Sequence, residues 1–94
     1  MLSEIQIAGK LEKLPQWICE NGCIKKTFKF NDFIGAFGVM TQIALVAESM
    51  QHHPTWTNTF NNLQIELTTH DEGGVTEKDI KLALAIEKIA TPRG

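Results

Sequence analysis

The chain has 94 residues, of which 43% are hydrophobic and 21% charged, and its formal net charge is −2 at pH 7. This length suits one hydrophobic core, so we expect residues 1–94 to form a single domain. The slight negative charge gives no general attraction to phosphate or anionic lipid, which argues against direct nucleic-acid binding. No basic stretch followed by an apolar run opens the chain, and polar residues and glycines interrupt its most apolar segment, residues 33–47. We therefore expect neither secretion nor a membrane span.

The first element is predicted to be a short helix. Ser3 followed by Gln6 fits a capping box, in which each side chain accepts a hydrogen bond from the backbone N–H of the other residue. The pattern predicts a helix over about residues 4–13, and Pro15 closes this segment.

A hairpin follows the first helix. Asn21-Gly22 favours a two-residue turn, here between strands predicted at residues 16–20 and 23–30. In that register Cys19 and Cys23 are offset rather than opposite each other, so we expect two free thiols. Free thiols fit a reducing, cytoplasmic compartment.

A long apolar helix is predicted over about residues 33–50, with Asn31 or Asp32 as its N-cap. Most of its apolar side chains fall on one broad arc, and Ile34 and Leu45 form a second, smaller patch. The arc consists of Phe33, Phe37, Met40, Ile43, Ala44, Ala47 and Met50. Two interpretations remain open, a well-buried core helix and a helix that also contacts another subunit.

A second hairpin and a last helix complete the chain. Residues 56–60 and 63–69 are predicted strands around Asn61-Asn62, residues that tolerate left-handed backbone. Thr76 and Asp79 form another capping box, which predicts a helix that ends near residue 90. The order helix, hairpin, helix, hairpin, helix predicts an α+β fold, a four-stranded antiparallel sheet with three helices packed on one face.

The three histidines are the candidate functional residues. Pro54 disfavours helical backbone at His53, so the long helix must end before the adjacent pair His52 and His53. His70 is expected at the end of the fourth strand, and helix end, strand start and strand end can meet at one edge of the sheet. An imidazole has an ordinary pKa of about 6.5 and exchanges protons near neutral pH, so converging rings would indicate acid–base catalysis.

Two alternatives to catalysis exist for these histidines. Loop histidines with no special role are the default for isolated imidazoles. A metal site, as in a small metallohydrolase, is disfavoured because adjacent histidines in an extended segment point apart and the sequence contains no HExxH or CxxC spacing. We therefore predict no metal ligands.

The spacing of these residues resembles the signature of the pterin-4a-carbinolamine dehydratases. The residues that carry the resemblance are, in order, Glu48, His52-His53-Pro54, Phe60, His70 and Asp79. It extends over essentially the whole chain, including Thr69 before His70. Many family members have tyrosine where this chain has Phe60, to which we assign a packing role. A capping box fully explains Asp79, which we interpret as a structural helix cap.

The resemblance implies an enzyme that removes water from 4a-hydroxytetrahydrobiopterin and gives the quinonoid dihydropterin, in the recycling of a pterin cofactor. It implies that His52 and His70 form the acid–base pair and that His53 binds and orients the substrate. No metal or cofactor is expected. The substrate-contacting residues would be His52, His53, Pro54, Thr69, His70 and Asp71, with Glu48 and Trp56 as further pocket residues.

The resemblance also bears on partners. Family members associate as homodimers or homotetramers, and some animal members bind a homeodomain transcription factor and stabilise its dimer. The second patch on the long helix is compatible with either contact. A protein-binding module is therefore the alternative function.

Overall fold

The computed structural model describes residues 1–91, and its elements follow the predicted order. Helix α1 spans Glu4–Leu11, strands β1 and β2 span Ile18–Glu20 and Cys23–Lys29, α2 spans Phe33–Met50, β3 and β4 span Thr55–Thr59 and Asn62–Leu67, and α3 spans Glu77–Ala90. A short 3-10 helix, His70–Glu72, lies between β4 and α3.

The strands form one antiparallel sheet of four strands in the order β1-β2-β4-β3. Each hairpin supplies one neighbouring pair, and β2 joins β4 at the centre, where Ile24 lies opposite Leu67. Alternate residues of β4, Leu63, Ile65 and Leu67, are buried, while the residues between them are not. The helices pack on this buried face, which confirms the predicted α+β arrangement.

Local capping starts each helix where the sequence predicts. Both hydrogen bonds of the predicted capping boxes are present, Ser3 with Gln6 at α1 and Thr76 with Asp79 at α3. Asp32 caps α2, since its Oδ1 accepts a hydrogen bond from the Gly35 N–H at 2.8 Å. These contacts satisfy N–H groups that have no partner inside the helix.

A polar contact lies inside the apolar layer between β2 and α3. The Lys26 ammonium pairs with the Glu87 carboxylate, and the side chains are only 8% and 17% exposed. The Trp17 indole N–H donates to the same carboxylate oxygen at 2.9 Å. This contact ties the end of α3 to the sheet, because a buried charge requires its partner.

The helix α2 buries a narrower stripe than the predicted arc. Only Ala36, Ile43 and Ala47 are fully buried on it. Phe33, Phe37 and Ala44, which belong to the predicted arc, are exposed, as are Ile34 and Leu45. The arc also left out Ala36, which is completely buried, and Val39 and Val46, which pack against the core.

The same helix meets the length and composition criteria of a membrane-crossing helix. Its mean hydropathy is 1.5 over 18 residues, and 17% of that stretch is buried. Core helices of soluble proteins also meet these criteria, and one side of α2 packs in the core of this chain. We define the exposed side, Phe33, Ile34, Phe37 and Leu45, as the α2 apolar face.

The second hairpin differs from the prediction by one position. Thr59 pairs with Asn62, so the turn residues are Phe60 and Asn61 rather than Asn61-Asn62. Phe60 has a left-handed φ of 51° and is 63% exposed, so the packing role assigned to it was wrong. The Asn61 amide donates to the Phe30 carbonyl at 2.9 Å, which fixes the turn against β2.

The first hairpin has the predicted register but a shorter first strand. Cys19 lies opposite Ile24 and both cysteines are free thiols, as expected. Strand β1 begins at Ile18 because Gln16 has a left-handed φ of 69°, which no regular strand contains.

Candidate active site

The end of α2 places the adjacent histidines. Gln51 has a left-handed φ of 53° and closes the helix. The His52 N–H then donates to the Ala47 carbonyl at 3.1 Å. The chain leaves the helix extended, and Pro54 leads directly into β3. The two imidazoles therefore stand between a helix end and a strand start.

A tight loop after β4 places the third histidine. Thr69 and Gly74 form an isolated bridge, and the Thr69 N–H donates to the Gly74 carbonyl at 2.9 Å. His70 thus lies in the 3-10 helix that the bridge closes, and not on β4 as predicted. Gly73 completes this loop with a left-handed φ of 76°. The bridge ends the strand two residues earlier than the sequence pattern suggested.

The two stretches line one cavity of about 280 Å³. It lies at the sheet edge where the end of α2, the loop after β4 and the start of α3 meet. The lining residues are Gln51, His52, His53, Thr68, Thr69, His70, Asp71 and Lys78. All three histidines therefore border the same space, which we call the histidine cavity.

A buried carboxylate holds His52. Asp79 is completely buried, and its Oδ1 lies 2.6 Å from the His52 Nε2. Its Oδ2 accepts from the Thr76 N–H at 2.9 Å and from the Thr69 hydroxyl at 2.8 Å. Because a carboxylate accepts in all these contacts, the His52 Nε2 donates, and Nδ1 is the ring nitrogen left for a substrate.

An exposed carboxylate holds His53. The Glu48 Oε1 lies 2.7 Å from the His53 Nε2, and the two side chains are 70% and 58% exposed. The hydrogen bond from His53, followed by the charge of its ring, lowers the pKa of Glu48 below its ordinary value. Glu48 itself does not line the histidine cavity and acts on it only through His53.

The His70 ring has no hydrogen-bond partner within residues 1–91. Its side chain is exposed and borders the cavity from the loop side. An imidazole without a protein partner keeps both nitrogens available for a ligand. The site thus combines a mostly buried ring bound to a carboxylate, an exposed ring bound to a carboxylate, and an exposed ring without a protein partner.

The structure brings together most of the sequence-predicted site residues. His52, His53, Thr69, His70 and Asp71 line the cavity. Pro54 and Trp56 do not. Trp56 pairs with Ile65 across the sheet and packs against the core, so its aromatic ring forms no wall of this cavity.

Sequence reasoning missed three lining residues and the second role of Asp79. Gln51, Thr68 and Lys78 border the cavity without any motif that marks them. Asp79 does cap α3, as interpreted, but it also bonds His52. Its position in the signature was the available signal, which the capping box had fully explained. A carboxylate can serve both contacts because each oxygen accepts separately.

The described residues contain no group of three or more His, Cys, Asp or Glu side chains arranged to hold a metal ion. Two of the three imidazoles already bond carboxylates, and the third stands alone. The arrangement resembles proton-transfer sites, in which a carboxylate orients an imidazole.

Comparison with known proteins identifies the family of this chain. The family described as pterin 4 alpha carbinolamine dehydratase matches residues 1–89. A relative from Prochlorococcus marinus (strain NATL2A) is 51% identical over 95% of this chain and 94% of its own length, and one from Christiangramia forsetii is 54% identical over 94% and 91%. Both carry that family's name provisionally.

A solved structure has the same fold. The crystal structure of a transcriptional coactivator/pterin dehydratase from Brucella melitensis has a TM-score of 0.94 to this chain at 43% identity. The match covers 96% of this chain and 98% of the other. Fold, histidine cavity and sequence similarity lead to one conclusion, that this chain belongs to the pterin-4a-carbinolamine dehydratase family.

Proposed function

We propose that the chain is a 4a-hydroxytetrahydrobiopterin dehydratase, a lyase that releases water and quinonoid dihydropterin in the recycling of a pterin cofactor. One observation carries this proposal: His52 and His70, from separate parts of the chain, line one cavity together with His53. Family membership supplies the substrate class.

The chemistry requires two proton transfers and no change of oxidation state. The C4a–O bond breaks as an acid protonates the hydroxyl, which leaves as water. A base removes the proton from N5, and the electron pair of that N–H bond forms the C4a–N5 double bond. Two positioned imidazoles suffice, and a group of this kind contributes roughly 10²- to 10⁴-fold to the rate.

The protein supplies these groups with different degrees of restraint. His52 is the fixed member of the acid–base pair, because Asp79 holds its Nε2 and leaves Nδ1 to face the substrate. His70 is the second member, with both ring nitrogens free. His53, held by Glu48 at the exposed rim, binds and orients the pterin.

Polar groups at the rim fit the pyrimidine edge of a pterin. The exposed Asp71 carboxylate can accept hydrogen bonds from ring N–H groups, and the Lys78 ammonium can donate to the ring carbonyl. Thr69 contributes mainly through Asp79, since its hydroxyl is already donated there. We assign Asp71 and Lys78 to binding and the imidazoles to proton transfer.

The test replaces His52 and His70 separately with alanine. Dehydration of freshly generated 4a-hydroxytetrahydrobiopterin, followed by absorbance and corrected for the spontaneous reaction, should fall about 10²- to 10⁴-fold in kcat for each variant. His53→Ala is the matched control and should act mainly on KM. Circular dichroism checks the fold. Unchanged turnover in both alanine variants would reject the assignment.

A homodimer or homotetramer in the cytoplasm completes the proposal. The α2 apolar face leaves Ile34 and Leu45 81% and 68% exposed, and contiguous exposed apolar patches often mark protein–protein contacts. Sedimentation of the wild type should show an oligomer, and Leu45→Glu should weaken it more than Gln42→Glu on the same helix. The free thiols fit a reducing compartment.

The second candidate function is a protein-binding module. The same α2 apolar face favours it, and the Brucella melitensis relative is called a transcriptional coactivator as well as a pterin dehydratase. A pure binding module would retain its partner and its oligomer when His52 and His70 are replaced, and the wild type would show no dehydratase activity. The activity assay therefore separates the two candidates.

A further inference from the structure

A second cavity adjoins the histidine cavity. Its volume is about 360 Å³, and it lies on the open face of the sheet between the β1–β2 turn and the loop after β4. Thr68 and His70 line both cavities. The histidine cavity alone is below the roughly 300 to 1,000 Å³ usual for small-molecule sites, and the two together fall within that range. We call the second space the side cavity.

The side cavity has a fixed polar wall. The Thr68 hydroxyl donates to the Gly22 carbonyl at 2.8 Å, which holds the β1–β2 turn against the strand end that precedes His70. Asn21 and Gly22 both have left-handed backbone there, so the turn presents backbone rather than bulky side chains. Thr55, at the start of β3, closes the other side.

One unpaired carboxylate borders this space. Glu66 is half-buried, and within residues 1–91 its side chain has no hydrogen-bond or ion-pair partner. Lys25 lies opposite it on β2. Its ammonium is bound to Glu20, and the hydrogen bond to Glu20 and, more weakly, the charge of Glu66 raise the pKa of Lys25. Burial and then the charge of Glu66 raise the pKa of the neighbouring Cys23 thiol. Within the part of the chain that the structure describes, no lysine or arginine lines the side cavity.

The bonding of the substrate also places its side chain near the side cavity. In a reduced pterin the carbon that bears the side chain, C6, is bonded to N5, and N5 is bonded to C4a. If C4a and N5 of the substrate face the imidazoles, the side chain at C6 therefore leaves the ring next to these imidazoles. His70 is the imidazole that borders the side cavity, so the side chain has a direct path past it.

We infer that the side cavity is a specificity site for the pterin side chain, which selects a neutral, hydroxylated substituent and rejects an anionic one. This inference rests on the proposed function. Glu66 accepts hydrogen bonds from side-chain hydroxyls, and Thr55 and Thr68 offer further hydroxyl contacts. A carboxylate on the side chain would be repelled by the Glu66 charge, and within residues 1–91 no lysine or arginine lines the cavity to offset it.

The test uses three oxidised pterins that differ only at C6: biopterin with a dihydroxypropyl group, 6-methylpterin, and pterin-6-carboxylate. Dissociation constants are measured by quenching of pterin fluorescence. Wild-type protein should bind biopterin about 10-fold more tightly than 6-methylpterin, as one hydrogen bond to a charged acceptor would give. Pterin-6-carboxylate should bind more weakly than 6-methylpterin.

Two variants locate the effect. Glu66→Gln should bring pterin-6-carboxylate at least level with 6-methylpterin and reduce the preference for biopterin. Thr55→Val should reduce only the biopterin affinity. Glu12→Gln removes the same charge from a distant exposed position and should change none of the ratios.

The outcomes separate this inference from the proposed function. If all three pterins bind and neither variant at the side cavity changes their relative affinities, the specificity site is wrong while the dehydratase proposal stands. If the wild type binds no pterin, both proposals fail.

Discussion

The two imidazole–carboxylate pairs of the site have nearly the same geometry and opposite surroundings. His52 and Asp79 are separated by 2.6 Å with side chains 11% and 0% exposed, while His53 and Glu48 are separated by 2.7 Å with side chains 58% and 70% exposed. An exposed pair is screened by water and competes with side-chain entropy. A buried carboxylate that loses its partners has no water to replace them.

This difference in burial indicates that the two pairs have different functions. Asp79 also bonds Thr69 and Thr76, so the orientation of His52 is built into the joint between β4 and α3. Glu48 has a helix-end position and can rotate away from His53 at little cost. The distance between imidazole and carboxylate is therefore less informative about function than the other hydrogen bonds that each carboxylate accepts.

The largest expected effect is on stability. Asp79→Ala should lower the free energy of unfolding by about 3 to 5 kcal/mol, because it leaves the Thr76 N–H, the Thr69 hydroxyl and His52 without their acceptor. Glu48→Ala should change it little. Urea unfolding followed by tryptophan fluorescence measures both. Equal losses in the two variants would contradict the contrast between the pairs.

The next effect concerns catalysis with the fold retained. Asp79→Asn keeps the size of the side chain but weakens its hold on His52, so kcat should fall at least about 10-fold, part of the roughly 10²- to 10⁴-fold that a positioned imidazole contributes. Glu48→Gln should alter mainly KM, since His53 orients the substrate. The dehydration assay at saturating substrate distinguishes them. A larger kcat loss for Glu48→Gln would reverse the assignment of the two pairs.

The smallest expected effect is a change in the pKa of Glu48. The His53 contact lowers the pKa of Glu48, so the stabilisation it gives is present above the ordinary carboxylate pKa and is lost as the pH falls through the lowered value. In His53→Ala the pKa of Glu48, measured by NMR titration, should rise toward 4.5. About 1 M salt should produce part of the same rise in the wild type. A pKa that stays low in His53→Ala would show that another group is responsible.

Sequence reasoning succeeded where local contacts decide the structure. The capping boxes at Ser3 and Thr76 involve residues within one turn, so their pattern alone predicted where α1 and α3 begin. Strand alternation likewise predicted the buried face of β4. These features need no information from distant parts of the chain.

Sequence reasoning failed where contacts between distant parts of the chain decide the structure. The turn at Phe60 and Asn61 is set by the Asn61 contact with Phe30, which lies on another hairpin. The bridge between Thr69 and Gly74 removes His70 from the strand. Alternation of side chains contains no signal for either contact.

The candidate site was predictable only in part for the same reason. The histidines and their spacing were visible in the sequence and suggested one pocket. The bond between His52 and Asp79 joins residues from different elements, so a capping interpretation of Asp79 left it out. Lys78 and Thr68 reach the cavity only through the packing of α3 and the β1–β2 turn.

The helix α3 is anchored at two points along its length. Near its first turn Asp79 bonds His52, and near its last turn Glu87 receives Lys26 and Trp17. Eight residues of helix separate these carboxylates, about 12 Å of axial length. Apolar packing alone would let a helix of this length rotate or slide by small amounts. Directional polar contacts near both ends of α3 restrict both motions. The imidazole at the cavity is thus aligned, through α3, by an ion pair near the other end of the same helix.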